Sequence, residues 1–461
     1  MRLATLLGPD VKELLHDDPD QVRALLEEIH AEDIADLVSE LSSEDASTLL
    51  SRLEPSEAAP IFERLPMHEQ QEILAHMAPE VAAQIAGAMA SDDRADLFQG
   101  LPEHVGDALL SNLQRVDPEA AEEVREIEKW PETSAGHLMT TRYVSVLPTA
   151  TVGDALAAVR SDALVRDEPV YNVYAIEEDD RLVGVASLRD LILSEPSESL
   201  ADIMRSHVIS VQASMDQEEV ARWMAKYDLN VMPVVDDGNR VLGVITIDDI
   251  VDVLTQEQTE DIQRIGGVEP LQEPYFQTSF FSFIRKRGVW LVVLFFEEFF
   301  TQTALRHYDP VFEAIKGATY YVPLLISAGG NSGSQSSTLI IRGLAIGEIK
   351  MRDWLRILAR EASMGLVLGL MLGAIGFSRV LMYRDQHWQF ALTIGITLVG
   401  IVMTGCTVGS MLPLILRRLG IDPATSSTPF IASLVDVLGI IVFVQVAKIV
   451  MADVILAHAA H

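Results

Sequence analysis

The strongest chemical signal in the chain is an acid inside a long apolar run. Asp436 lies near the middle of residues 428–453, and neither Lys nor Arg occurs within one helical turn of it. A charged carboxylate at the centre of a bilayer costs about 3 kcal/mol or more, so an acid in this position predicts a role in an ion pathway. The alternative is a carboxyl that stays protonated or pairs with a polar group of another helix.

A second apolar run contains an unusually polar, small-residue segment. Residues 329–338 read GGNSGSQSST, and Pro323 precedes them. Lipid tolerates such a segment only against other helices or a wet cavity. Asn331 and Gln335 are four residues apart and share one helical face, which predicts that they line a pore. Close packing of helices through small residues is the alternative.

Three further positions belong to the same predicted pore. Ala432 and Ser433 lie one turn before the intramembrane aspartate. Glu297, followed directly by Glu298, is another acid within an apolar run, so we expect Glu297 to line the pathway as well. A position near a water-filled outer mouth is equally compatible with this pair.

Five apolar stretches are near the length of about 20 residues that a bilayer requires. They cover approximately residues 288–308, 319–341, 362–383, 389–416 and 428–453. Ten Lys and Arg residues lie in the segments on one side of these stretches, and four lie in the opposite loops. The positive-inside rule therefore predicts a multi-pass protein of the cell (inner) membrane, with a cytoplasmic N-terminal part and an external C-terminus.

Charge is distributed very unevenly along the 461 residues. Residues 276–461 carry 11 acidic and 15 basic side chains, whereas residues 1–275 carry 57 acidic and 19 basic ones, a balance of −38. An acidic surface repels phosphate, so nucleic acid is excluded as a partner. A single cysteine, Cys406, excludes a disulfide framework and a cysteine zinc site. The sequence also shows no P-loop, zinc motif or nucleophile–base pair, so we expect no enzyme activity.

The acidic part begins with a repeat. Over residues 17–113, apolar positions recur every twelve residues, with cap and turn residues between them. This spacing predicts one short helix per unit, stacked as a small solenoid. Residues 114–136 are predicted to be a charged helical connector.

One pattern then occurs twice. Residues 182–191 (LVGVASLRDL) match residues 241–250 (VLGVITIDDI), and each copy is predicted to run strand, helix, strand, glycine turn, strand, helix. These copies resemble tandem CBS domains. Their Ser/Thr-x-x-Asp element recurs as Ser187 to Asp190 and Thr246 to Asp249. The resemblance implies a nucleotide site at Arg189 and Asp190, although the same Asp can simply cap a helix.

The order of these parts resembles the MgtE family of magnesium channels and transporters. The most specific matches are residues 323–345, residues 411–423 (MLPLILRRLGIDP) and the helix of Asp436. The resemblance implies a multidomain membrane protein with an all-α helical-repeat N domain, an α/β tandem CBS module and a five-helix transmembrane domain. The expected boundaries are 1–130 for the N domain, 137–200 and 201–256 for the CBS domains, 257–287 for a connecting helix, and 288–461 for the pore domain.

The resemblance also implies partners and metal ligands. It implies a homodimer in the membrane lipid with a pore on its two-fold axis, in which Asp436 binds hydrated Mg²⁺. It further implies that cytoplasmic Mg²⁺ closes the pore by binding to acidic side chains. By position, these are Asp92, Asp96, Asp216, Glu218, Asp228, Asp249, Asp252, Glu260 and Asp261.

Two alternatives and one departure remain. An ion-coupled exchanger would use the same spans, and a membrane-anchored CBS nucleotide sensor would use them only as anchors. Family members carry aromatic residues near the nucleotide, where this chain has Asn172 and Leu229, with Tyr171 and Tyr174 close by. ATP in the CBS module is therefore left open.

Overall fold

The computed structural model describes residues 25–26, 29–163, 170–271, 275–276, 278–383 and 387–459. They form two compact units, one up to Leu254 and one from Thr255 onward. The first residues of the predicted repeat, 17–24, lie outside the described part of the chain.

The repeat forms a stack of short helices that start at intervals of twelve residues. They are α1 (Ala31–Ser39), α2 (Ser43–Leu50), α3 (Pro55–Glu63), α4 (Met67–His76), α5 (Pro79–Ala88), α6 (Ser91–Gly100) and α7 (Glu103–Val116). Proline at the first position of α3 and α5 favours helix initiation, because its missing N–H has no partner there anyway. Each helix packs against the next but one, which buries apolar pairs such as Leu49 and Leu50. The predicted helical stack is confirmed.

Part of the stretch predicted to be a helical connector belongs to this stack. Helix α8 (Pro118–Ile127) packs against α6 and α7, and Ala120, Ala121 and Val124 join the core of the repeat. Ile127, at the end of α8, packs into the core of the second CBS copy. The many glutamates of α8 obscured the narrow apolar stripe that buries one of its faces in the repeat.

Two small sheets follow, with the same topology. In each, the first two strands are parallel and the last two antiparallel. The elements are α9 (Ala135–Leu138), β1 (Val144–Val146), α10 (Val152–Ala163), β2 (Asn172–Ile176), β3 (Leu182–Ser187), α11 (Leu188–Leu193), α12 (Leu200–Ile203), β4 (Val211–Gln212), α13 (Gln217–Tyr227), β5 (Val231–Val235), β6 (Val241–Thr246) and α14 (Ile247–Ile265).

The two copies complete each other. Thr140, at the start of the first copy, exchanges two backbone hydrogen bonds with Val244 of β6, and Arg205, at the start of the second, does the same with Val185 of β3. Gly243 lies under the first bridge, where a β-carbon would come within 2.5 Å of the Thr140 carbonyl oxygen. Gly184 and Gly243 of the matched segments therefore lie within strands rather than in turns. The turns before these strands carry Asp180 and Asn239 in the left-handed conformation, and Gly238 lies in the second of these turns.

The second unit contains the apolar helices. They are α15 (Phe280–His307), α16 (Asp309–Ala314), α17 (Val322–Ala345), α18 (Trp354–Leu381), α19 (Trp388–Arg418), α20 (Thr428–Val450) and α21 (Ala452–Ala459). Within the described residues, four segments are long and apolar enough to cross a membrane: Phe280–His307, Met351–Leu381, Trp388–Arg418 and Thr428–Val450.

Helix α17 occupies the predicted second span. Its 24 residues span about 36 Å, which is sufficient for a bilayer. Its glycines, serines and amides lower its hydropathy, and it packs against α19 and α20, so neighbouring helices shield its buried serines Ser332, Ser336 and Ser337.

The expected connecting helix covers only part of residues 257–287. Helix α14 begins within the second CBS copy and ends at Ile265, followed by Gly267 with φ +72°. The next long helix begins at Phe280, so Arg285, Lys286 and Arg287 lie within its first turns.

Candidate functional site

Asp436 lies at a contact between two helices of the membrane unit. Ser427 caps the start of α20 by accepting a hydrogen bond from the backbone N–H of Phe430. Asp436 is two turns further along and is half-buried, as are Ala432 and Ser433. The carboxylate thus lies on a rigid helix and is partly open to its surroundings.

The glycine-rich run of α17 passes directly beside this carboxylate. A β-carbon at Gly330 would lie 3.2 Å from Cβ of Ala432 and 3.9 Å from Oδ1 of Asp436. Asn331 and Gln335 follow on α17, and both are exposed in the single chain. The structure therefore brings the two predicted pore segments together and leaves the amides of α17 accessible.

Helix α15 adds two acids near the same place. It packs against α20, and the Glu297 carboxylate interacts electrostatically with both Glu298 and Asp436. Oε2 of Glu297 is inaccessible to solvent and accepts no hydrogen bond from the described residues. Three membrane carboxylates thus interact, which favours a cation in their vicinity.

An acidic cavity lies within the first unit, between the helical repeat and the second CBS copy. Its volume is about 470 Å³, and its described lining carries eight Asp or Glu and two Arg side chains. Asp92 and Asp249, both predicted metal ligands, line it together. Glu123, also in the lining, pairs with the fully buried Arg94.

Three carboxyls of this cavity, those of Glu63, Asp93 and Asp249, resist ionisation. Burial, reinforced by Glu63, Asp249 and Asp96, raises the pKa of Asp93 to about 8. Asp93 is exposed to solvent but belongs to the lining of this cavity, where the surrounding protein limits the hydration of its carboxyl. Burial also raises the pKa of Asp249 to about 6, opposed by hydrogen bonds from Thr246. When these carboxyls are ionised, their negative charges repel one another. A bound cation would relieve this repulsion in place of the protons.

Two side chains near this cavity have no counterpart in the sequence predictions. Glu63 accepts a hydrogen bond from the Ala90 N–H at 2.7 Å, and burial raises its pKa. His137 is 6% exposed, and its Nε2 lies 3.0 Å from Oδ1 of Asp96. Asp96 therefore has a protein partner at one carboxylate oxygen, and its side chain is otherwise exposed.

The remaining predicted ligands of the CBS module lie elsewhere. Asp216 caps the start of α13, Glu218 pairs with Arg222 at 3.5 Å, and Asp228 occupies the left-handed C-cap of the same helix. An 11-residue helix is about 16 Å long, so α13 separates Asp216 from Asp228. Asp252 is exposed one turn after Asp249 on α14.

Glu260 and Asp261 belong to a separate acidic group in the second unit. Arg264 connects this group, donating from Nη2 to Glu260 at 2.9 Å and from Nη1 to Asp422 at 2.6 Å. Asp422 caps the short turn that precedes α20. Burial, followed by Asp422 and Glu257, raises the pKa of Asp261 to about 6.

The Ser/Thr-x-x-Asp elements act as helix caps. Ser187 accepts a hydrogen bond from the Asp190 N–H at 3.1 Å, and Asp249 accepts one from the Thr246 hydroxyl at 2.5 Å. Arg189 is exposed beside Asp190. Helix capping therefore accounts for both motifs without a bound nucleotide.

No group of three or more His, Cys, Asp or Glu side chains converges as a complete metal-ligand set in the parts of the chain that the structure describes. The acids nevertheless suit Mg²⁺, which takes oxygen ligands and usually keeps several waters. A hydrated Mg²⁺ ion needs only one or two carboxylates, which the membrane helices, the acidic cavity and the group around Arg264 each supply.

Family models match most of the chain. The model for the MgtE divalent cation transporter matches residues 322–446, that for the MgtE intracellular N domain matches 14–133, and that for the CBS domain matches 135–195 and 200–256.

Curated relatives are similar over most of their length. The magnesium transporter MgtE of Thermus thermophilus is 38% identical over 96% of this chain and 98% of its own length. The magnesium transporter MgtE of Bacillus subtilis is 30% identical over 82% of this chain and 83% of its own length.

Two solved structures resemble about half of the chain. The soluble part of a magnesium transporter has a TM-score of 0.52 at 32% identity, covering 55% of this chain and 99% of that one. The cytosolic domain of the Mg²⁺ channel MgtE in complex with ATP has a TM-score of 0.50 at 37% identity, covering 54% of this chain and all of the other.

Proposed function

This chain belongs to the MgtE family of magnesium transporters, and we propose that it conducts Mg²⁺ through a pore that cytoplasmic Mg²⁺ closes. It is a multi-pass membrane protein of a transporter family rather than an enzyme. The observation that carries the proposal is the approach of Gly330 of α17 to Asp436 of α20. Mg²⁺ dehydrates reluctantly, so one carboxylate per chain, surrounded by hydrogen-bond acceptors, suits a hydrated ion.

The acidic cavity supports the proposed closure. Without a divalent cation, Asp93, Asp249 and their neighbours repel one another or must bind protons. Mg²⁺ bound among them stabilises the contact between the repeat and the second CBS copy. Several weak sites suffice, because about 5.5 kcal/mol of summed differential affinity moves an equilibrium from 1:99 to 99:1.

Replacing four acids tests this sensor. Asn at Asp92, Asp96, Asp249 and Asp252 together should change the Mg²⁺ concentration that inhibits flux in liposomes. A matched variant with Asn or Gln at the exposed Asp33, Glu80, Glu103 and Asp107 should behave as wild type. If the first variant closes at the wild-type concentration, these acids are not the sensor.

A coupled exchanger is the second candidate, and the interaction of Glu297 with Asp436 favours it. Glu297 would then carry the counter-ion. Electrophysiology on the purified protein separates the two. A channel gives a current that reverses at the Mg²⁺ equilibrium potential, whereas an exchanger reverses at a potential that also depends on a second ion.

Membrane orientation, dimer formation and nucleotide binding complete the proposal. The basic loops, the repeat and the CBS module are cytoplasmic, and two chains form the pore. A relative's cytosolic domain was solved with ATP, which supports ATP binding near Arg189 and Asp190. Asn172 and Leu229 offer no aromatic stacking surface, so we expect weak binding. Calorimetric titration with ATP, using Asp190→Asn as a control, measures it.

A further inference from the structure

Glu361 of α18 is a buried membrane carboxylate with no role in the pathway proposed above. Only 7% of its surface is exposed. Its Oε2 accepts a hydrogen bond from the Ser336 hydroxyl of α17 at 2.7 Å. No Lys, Arg or His among the described residues lies within ion-pair distance of it. A buried acid that bonds a neighbouring helix is costly to retain and is expected to serve a function.

Three helices meet at this carboxylate. Ser332 and Ser336 are one turn apart on α17, and both are buried. The thiol of Cys406, 2% exposed on α19, interacts with both hydroxyls and lies close to Glu361. A polar cluster therefore joins the buried face of α17 to α18 and α19. It consists of Ser332, Ser336, Glu361 and Cys406.

An adjacent face of α17 carries the predicted pore groups. Asn331 and Gln335 directly precede Ser332 and Ser336, so each pair is offset by about 100° around the helix. Rotation of α17 about its axis would move both amides, and would also move Gly330 away from Asp436. The Glu361–Ser336 hydrogen bond opposes this rotation because it attaches α17 to α18.

We propose that Glu361 is a positioning residue for transport, which fixes the rotation of α17 and thereby aims Asn331 and Gln335 at the pathway beside Asp436. The proposal rests on the pore described under Proposed function. It concerns the acceptor oxygen of Glu361 rather than its charge.

The first experiment measures Mg²⁺ flux in liposomes, normalised to inserted protein. Glu361→Leu and Ser336→Ala should each lower the flux about tenfold, the effect of losing one buried hydrogen bond. Glu361→Gln keeps an acceptor oxygen and should remain within about threefold of wild type. The double variant Glu361→Leu/Ser336→Ala should be no slower than Glu361→Leu, because both act on one contact.

Ser410→Ala is the matched control. It removes another fully buried serine hydroxyl, but this one donates to Thr407 O within its own helix α19, so flux should be unchanged. Glu361→Leu at wild-type flux overturns the proposal. A Glu361→Gln variant as slow as Glu361→Leu also overturns it, since charge would then be the essential property. If Glu361→Leu fails to insert, Ser336→Ala decides alone.

The second experiment measures the rotation of α17 through the reactivity of a thiol on this helix, independently of transport. Because Cys406 is the chain's one cysteine and is buried, Gln335→Cys introduces a single accessible thiol. Its reaction with a charged water-soluble thiol reagent should slow at least threefold when Ser336→Ala is added, and stay constant when Ser410→Ala is added. An unchanged rate with Ser336→Ala refutes the positioning role. Another outcome is that the thiol reaction slows as expected while neither the wild type nor any variant transports Mg²⁺ in the first experiment. In that case α17 is positioned by Ser336, but the proposed pore is wrong.

Discussion

Asp436 is the one acid of α20, and its neighbours are small. Asp436→Ala should lower Mg²⁺ flux by roughly tenfold to hundredfold, because an ion loses a charged oxygen contact. Asp436→Asn keeps the size of the side chain but should lose most of the Mg²⁺ affinity. Flux into liposomes measures both. Asp453→Asn, at an exposed acid of α21, is the control; wild-type flux through Asp436→Ala would mean that another group binds the ion.

Asp93 predicts a pH dependence of the contact between the helical repeat and the second CBS copy. Its pKa is raised from an ordinary 3.8 to about 8, so the folded contact favours the protonated acid. The contact is therefore most stable below about pH 4 as far as this group is concerned, loses stability as pH rises from about 4 to about 8, and changes little above that. Without Mg²⁺, thermal unfolding of the full chain should shift to lower temperature between pH 6 and pH 9.

Two comparisons check this assignment. Asp93→Asn should flatten the pH dependence, and Asp107→Asn, at an exposed acid of α7, should leave it unchanged. Millimolar Mg²⁺ should also reduce the shift, because the cation replaces the lost proton. A shift that survives in Asp93→Asn contradicts the assignment.

The sequence identifies acids better than it identifies which of them meet. Asp92 and Asp249, both predicted from the family resemblance to be metal ligands, line one cavity. Asp93 and Glu63 join them only through the packing of three helices, which local patterns do not encode. Glu361 follows Arg360 at the edge of an apolar run, so hydropathy places it outside the span although the helix continues through it.

At the level of elements, the end of α14 is attached to the start of α20. Arg264 contacts Asp422, which precedes α20, at 2.6 Å. We expect this ion pair to transmit movement of α14 to the pore helix. Arg264→Gln should raise the Mg²⁺ concentration needed for half-inhibition of flux by about twofold to fivefold, the effect of one partly exposed ion pair.

The partner residue provides the internal test. Asp422→Asn should have a similar effect, and the double variant should not exceed either single one. Arg240→Gln breaks a surface pair with Asp236 at 2.7 Å and serves as control. Additive effects of the two substitutions would show that they act independently.

Hydrophobic periodicity predicts the helices well and their partners poorly. The twelve-residue spacing reproduces the starts of α1 to α7. The sequence does not reveal that each helix packs on the next but one, nor that α8 continues the core. Gly243 resembles a turn residue until the Thr140 backbone is placed over it.

For the whole molecule, we predict a homodimer. One chain exposes Asn331 and Gln335, and one Asp436 alone cannot enclose an ion. Two chains would bring two such faces to one axis. Light scattering of the detergent-solubilised protein should therefore give about twice the chain mass of 50.7 kDa. A fully active species of single-chain mass would contradict this.

Each CBS copy is bridged by backbone hydrogen bonds to a strand of the other copy, so the module should be divisible only into halves that need each other. Because Thr140 completes β6 and Arg205 completes β3, neither copy contains its own full sheet edge. A break in the backbone near Glu198, between the copies, should leave two fragments that are insoluble alone and that associate when co-expressed. The module would then act as a self-assembling split pair, in which complementation of the two halves reports correct folding in cells.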